Sequence, residues 1–169
     1  MQTTIRLHSL PFTSPATYFV ALTFIVGNIL LPQLVHLIPQ GGIIWLPIYF
    51  FTLVGAYKYG WRVGLLTAIT SPVINSLLFG MPHAAALPPI LLKSSLLAVG
   101  AGYAASHFKK ATLALLALVV LSYQVVGTLG EWIMKGDFFL ACQDFRIGIP
   151  GMLLQILGGW LVINRLIRR

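Results

Sequence analysis

GIIWLPIYFFTLVGAY, residues Gly42 to Tyr57, decides how many times this chain crosses a membrane. A helix spanning a hydrocarbon core of about 30 Å needs roughly 20 mainly apolar residues. This run is shorter and is interrupted by Pro47, so a full crossing competes with a re-entrant segment. The charges on either side arbitrate, because Lys and Arg in short loops stay on the cytoplasmic face. Counted as a crossing, the run places Arg6, Lys58, Arg62, Lys109, Lys110, Arg165, Arg168 and Arg169 on one face. The other face keeps Lys135 and Arg146 in its loops, together with all three acids, Glu131, Asp137 and Asp144. A re-entrant segment would scramble that separation, so the run is expected to cross.

Five further apolar runs flank it, at Ser14 to Leu31, Val63 to Phe79, Ile90 to Ser106, Ala111 to Gly130 and Gly148 to Asn164. The expectation is an all-α integral membrane protein with a single membrane domain over residues 1–169. It forms a six transmembrane helix bundle with both termini cytoplasmic. The composition agrees: 58% of residues are hydrophobic and 8% charged, where soluble domains carry about a quarter. The net charge of +8 sits at turns between apolar runs and not along a basic stripe, so no nucleic-acid partner is implied. Cys142 is the lone cysteine and forms no internal disulfide. The first run has no small-residue cleavage site followed by a polar mature domain, and is expected to be a retained span.

The connectors on the two faces differ in length. KYGWR and HFKK are minimal, whereas PQLVHLIPQGG, GMPHAAALPP and EWIMKGDFFLACQDFRIG are long. Long loops carry function more often than tight turns do, so the working surface is expected outside. In the fourth span Ser94, Ser95, Ala98, Ala101, Gly102 and Ala105 recur at spacings of three and four, which suits close helix packing.

Lys93 is the unusual residue of that span. If Pro88 and Pro89 open the helix, Lys93 lies about one turn in, roughly 6 Å below the outer boundary at 1.5 Å per residue. It either snorkels back to water or faces a polar cavity and pairs with an anionic ligand group. No acid lies within five residues of it, so a protein partner must be distant, such as Glu131, Asp137 or Asp144. His36 and His83 fall in outer loops as candidate ligand contacts, but two imidazoles with loosely spaced acids do not make a metal signature. The segment Glu131 to Gly148 sets Phe138, Cys142, Phe145 and Ile149 at helical spacing. An interfacial helix of this kind could lower Trp132, Phe138 and Phe139 as a lid. Trp45 and Tyr49, one turn apart beneath the first outer loop, are candidates for stacking on a ligand.

No nucleophile elbow, HExxH, Walker A or paired-acid protease motif occurs, so neither an enzyme nor a cofactor is implied. Almost no acid lies inside the spans, which makes a poor proton-coupled pump. Uphill movement of a solute would take its energy from a partner.

PQLVHLIPQGGIIWLPIYF, then GWRVGLLTAITSPVINSLLFGMP, then a proline-rich entry into the fourth span, resembles the substrate-binding S components of bacterial energy-coupling factor (ECF) transporters. The similarity covers about the first 105 residues and rests on the combination GG…LP…SP…GMP. It implies a protein of the bacterial plasma (inner) membrane that captures a vitamin-like molecule or a metal ion from outside. Its partners would be membrane lipid, a transmembrane coupling subunit and two ATPase subunits.

Matched residue by residue, the resemblance implies His36, Gly41 and Gly42 at a gate, and Gly80, Met81 and Pro82 at the cavity rim. It puts Lys93 in the fourth helix and Asn75 and Ser76 near the cavity. Alanines four apart on the first helix, which meet a shared coupling subunit in relatives, are replaced by Ala16 and Ala21, with Thr17 and Ala21 the nearest small pair. The amino-terminal histidine of nickel and cobalt members is missing, and relatives carry an acid near the position of Lys93. Both departures favour a small anionic substrate over a metal ion. A stand-alone channel or facilitator is the competing function.

Overall fold

The computed structural model describes residues 8–166; Arg6, Arg168 and Arg169 lie outside the described residues. Every regular element among these is helical. Five stretches are long and apolar enough to cross a membrane: Pro15–Val35, Gly41–Tyr59, Trp61–Phe79, Leu87–Phe108 and Leu113–Lys135. They contain α1 (Pro15–Val35), α2 (Gly41–Trp45) with α3 (Phe50–Tyr59), α4 (Trp61–Phe79), α5 (Leu87–Phe108) and α6 (Leu113–Lys135). The short turns α7 (Phe138–Ala141) and α8 (Gln143–Ile147) follow, then α9 (Ile149–Leu153).

The sixth expected span, 148–164, is helical but not a plain α-helix. From α9 onward, α turns alternate with π turns at Leu154–Gly158 and Val162–Leu166. Two adjacent glycines mark the change of winding. A Cβ at Gly158 would come within 3.0 Å of the Phe50 ring and one at Gly159 within 3.2 Å of Leu53, so this run lies tightly on the second span.

The second span is where local preference and membrane physics conflict. Leu46 adopts a left-handed conformation (φ 46°), followed by a 3₁₀ turn at Pro47–Tyr49. A broken helix frees backbone groups that lipid cannot satisfy. Asn28 of α1, fully buried, supplies the missing partners. Its Oδ1 accepts from Phe51 N (3.2 Å), and the two protons of Nδ2 are shared among Ile48 O (2.7 Å), Thr52 Oγ1 (3.0 Å) and Ser71 Oγ (3.2 Å). The Pro47 interruption thus becomes a braced joint within a 19-residue crossing.

The surface of the bundle is apolar where that of a soluble protein would be polar. Phe19, Leu37, Leu77 and Ile133 are each more than 70% exposed, while Asn28, Thr52, Thr67, Ser71, Lys93 and Gln124 are buried. That is the pattern of a multi-pass membrane protein. Ser94, Ala98, Ala101, Gly102 and Ala105 are buried as the packing expectation requires. A Cβ on Gly102 would stand 2.6 Å from the backbone nitrogen of Trp61.

His8 N donates to Lys58 O (2.9 Å) and Asn164 Nδ2 to Ala111 O (3.2 Å), so both ends of the described chain meet the same end of the bundle. The long connectors 36–40, 80–86 and 136–148 gather at the opposite end. Thr17 and Ala21, the small pair expected on a docking face, are buried within the bundle.

Candidate functional site

The site begins with where α6 stops. The apolar run ends at Gly130, which suggested that Glu131 and Lys135 belong to a loop. Instead the helix continues through Lys135 and terminates at Gly136, which takes the left-handed conformation (φ 72°) that glycine adopts without cost. Glu131 and Lys135 are therefore one turn apart on the same helix face, with Lys135 Nζ 2.5 Å from Glu131 Oε1. Directly opposite lies Lys93 of α5. Its side chain crosses α6 at Gly127, where any Cβ would collide with Lys93 Cγ.

Lys93 is 1% exposed and turned into the bundle, which removes the snorkelling alternative. Its Nζ donates to Glu131 Oε2 and to Asp144 Oδ2, both at 2.6 Å. Two ammonium groups and two carboxylates form one connected chain: Lys135, Glu131, Lys93, Asp144. Isolated charges at such depth are costly, but each ion here has an opposite partner in contact. Glu131 and Asp144 were two of the three acids open as partners from the sequence. Asp137 is used elsewhere, accepting from Leu140 N (3.0 Å) to cap α7.

The chain of charges forms one wall of a cavity of about 500 Å³, within the range that small-molecule sites occupy. Of the residues expected to bind ligand, Lys93, Asn75, Met81, His83, Tyr49 and His36 line it, as do the gate and rim residues Gly41, Gly42 and Pro82. The sequence-based reading did not assign Glu131, Lys135, Leu140, Gln143 or Asp144 to the lining. Asn75 lines the cavity, but its amide is committed to the fold: Nδ2 donates to Asn28 O and Ser71 O, both 3.0 Å away.

The remaining expected residues do not line the cavity, each for a local reason. Ser76 is rotated about 100° from Asn75 along α4, and Gly80 ends that helix with nothing within 4 Å of its Cβ position. Trp45 lies where α2 meets the last helical run, its backbone 2.5 Å from a Cβ built on Gly151. Trp132, Phe138 and Phe139 form an edge-to-face cluster, with Trp132 to Phe138 at 5.3 Å and Phe138 to Phe139 at 6.1 Å. These three are 42%, 47% and 75% exposed. The segment that was to form one lid helix is two turns, α7 and α8, broken at Cys142. It meets the cavity through Leu140, Gln143 and Asp144 instead of its aromatics.

Beneath the cavity, the rings of Tyr49 and Tyr123 lie 5.4 Å apart, and Tyr123 donates its hydroxyl proton to Gln155 Oε1 at 2.9 Å. The buried side chains of Ser94, Gln124 and Thr128 and the Gln155 Nε2 have no hydrogen-bond partner among the described residues.

Comparison with protein-family models, curated proteins and solved structures finds no match. Function is argued from the site. His36 and His83 both reach the cavity, yet among the described residues no three His, Cys, Asp or Glu side chains come together as a metal-ligand set. The arrangement suits capture of a small organic molecule, with an apolar body against Tyr49 and Ile90 and a polar end toward the charged wall.

Proposed function

We propose that the protein is the substrate-capture subunit of an ATP-driven importer, binding a small anionic, vitamin-like solute from outside the cell. The observation that carries this reading is the cavity itself: the three long connectors and a buried lysine converge on one cavity at one end of an apolar bundle. The basic residues give its orientation. Arg62, Lys109, Lys110 and Arg165 belong to the end opposite the cavity, so the positive-inside rule turns the cavity outward. In this reading 149–166 is the sixth span and both termini are cytoplasmic. The chain holds three acids, two of them bound to lysines in the cavity wall, and no nucleotide-binding motif. Energy for uphill movement comes from ATPase subunits acting through a transmembrane coupling partner, as the resemblance to S components also implies.

Two measurements test this. Gentle detergent purification followed by mass spectrometry should find a retained carboxylate- or phosphate-bearing small molecule and companion ATPase subunits; the absence of both would overturn the assignment and favour a stand-alone facilitator. For orientation, Lys109→Cys in a Cys142→Ala background should react with a membrane-impermeant maleimide only after cells are permeabilised. Labelling of intact cells would invert the topology. Lys109 is exposed and serves this purpose, whereas Lys58 is fully buried.

A further inference from the structure

The two carboxylates that hold Lys93 are not equivalent. Glu131 stands on a long helix, its side chain 9% exposed, with one oxygen on each of two lysines. Asp144 touches Lys93 through Oδ2 alone, is 23% exposed at the cavity wall, and belongs to the five-residue α8 within the connector. We propose that Asp144 is a built-in stand-in for the substrate: in the empty site its carboxylate holds the place on Lys93 that a carboxylate of the solute takes. This rests on the cavity being the capture site proposed above.

Charge makes the exchange necessary. With Asp144 in place the four ionised groups sum to zero, and an entering anion meets no net attraction. With Asp144 displaced toward water, Lys93, Lys135 and Glu131 leave one positive charge, which a monoanion neutralises. Glu131 is shared between Lys93 and Lys135, so without Asp144 two ammonium groups have one carboxylate between them; an uncompensated buried charge is disfavoured, and in the empty protein Asp144 balances it. An aspartate side chain ends in the same group as acetate, which makes a carboxylate the chemical class that fits the vacated position.

The exchange also has a mechanical outlet. Asp144 O accepts the Gly148 N–H (2.9 Å) that closes α8, and Gly148 is so close to Leu46 that a Cβ there would stand 2.7 Å from Leu46 Cδ1. Leu46 is the left-handed residue of the braced joint. Loss of the Asp144 tether therefore loosens α8 against the second span, and a loaded site differs from an empty one at the protein's outer surface.

Chemical rescue tests the stand-in. In the full-length purified protein, Asp144→Ala should unfold about 5 °C below the wild type. Sodium acetate in the tens of millimolar should restore most of that loss relative to sodium chloride at equal ionic strength, while acetamide should not, and the wild type should not respond. Should Asp144→Ala fail to fold, Asp144→Asn, which keeps the shape without the charge, should show the same acetate response at smaller amplitude. Acetate acting no better than chloride or acetamide on whichever variant folds overturns the proposal. The readout needs no ATPase and no native ligand, so the stand-in and the importer assignment fail separately.

Discussion

Lys93→Met should destabilise the protein by about 3–5 kcal/mol, the cost of removing one partner from a buried ion pair and leaving the other uncompensated. For a chain of this size that is a fall in Tm on the order of 10 °C, measured by thermal unfolding in detergent. Here the stranded groups are Glu131, still held by Lys135, and Asp144, which loses its one ionic partner among the described residues. The triple variant Lys93→Met, Glu131→Gln, Asp144→Asn should recover much of the loss, because neutral side chains of similar volume often replace a buried ion network without penalty. Lys135, with its side chain 26% exposed, can turn to water. Both proteins should fail to retain ligand, which separates binding from folding. A single variant as stable as the wild type would show that the charged chain contributes nothing to the fold.

The second large effect is expected far from the charges. Asn28→Leu removes the acceptor for Phe51 N and the donor to Ile48 O in one step. Ile48 O keeps the Thr52 hydroxyl as a donor, so Phe51 N is the group stranded, and leaving a buried backbone group unpaired costs about 1–3 kcal/mol, the loss expected here. Thr52 and Ser71 are cushioned, since their hydroxyls already donate to Ile48 O (3.4 Å) and Thr67 O (2.7 Å). Hydrogen exchange should show the Phe51 amide opening faster while amides in the middle of α6 keep their protection. Unchanged exchange at Phe51 would mean that Asn28 does not brace the joint.

These two sites mark how far the sequence could be read. Apolar runs bounded by glycine and basic residues located the five helices long enough to cross a membrane, and Pro47 located the break in the second one. Its repair was not legible, because Asn28 lies 20 residues from its carbonyl partner and nothing local distinguishes it from other small polar residues of a span. At Lys93 the sequence offered an intramembrane cation and three acids as partners, but only three-dimensional packing selects Glu131 and Asp144. Hydropathy counting stopped at the first acid and so ended α6 a turn early. The cue that was missed is Glu131 four residues before Lys135 with Gly136 directly after, a helix-end signature in its own right. The lid helix failed for a related reason: the spacing of Phe138, Cys142, Phe145 and Ile149 is helical, but Asp137 caps a turn that ends at Cys142. The π turns of 154–166 have no sequence signal beyond the Gly158–Gly159 pair.

The wide separation of Lys93 from its counter-ions has a consequence for biogenesis. Chain order places Glu131 38 residues and Asp144 51 residues behind the lysine, so ribosomes deliver the cation to the translocon well ahead of either acid. A lone lysine resists partitioning into lipid, so α5 is expected to enter the bilayer together with α6, as a helical hairpin. A nascent protein stalled between these helices would carry an unmatched buried charge.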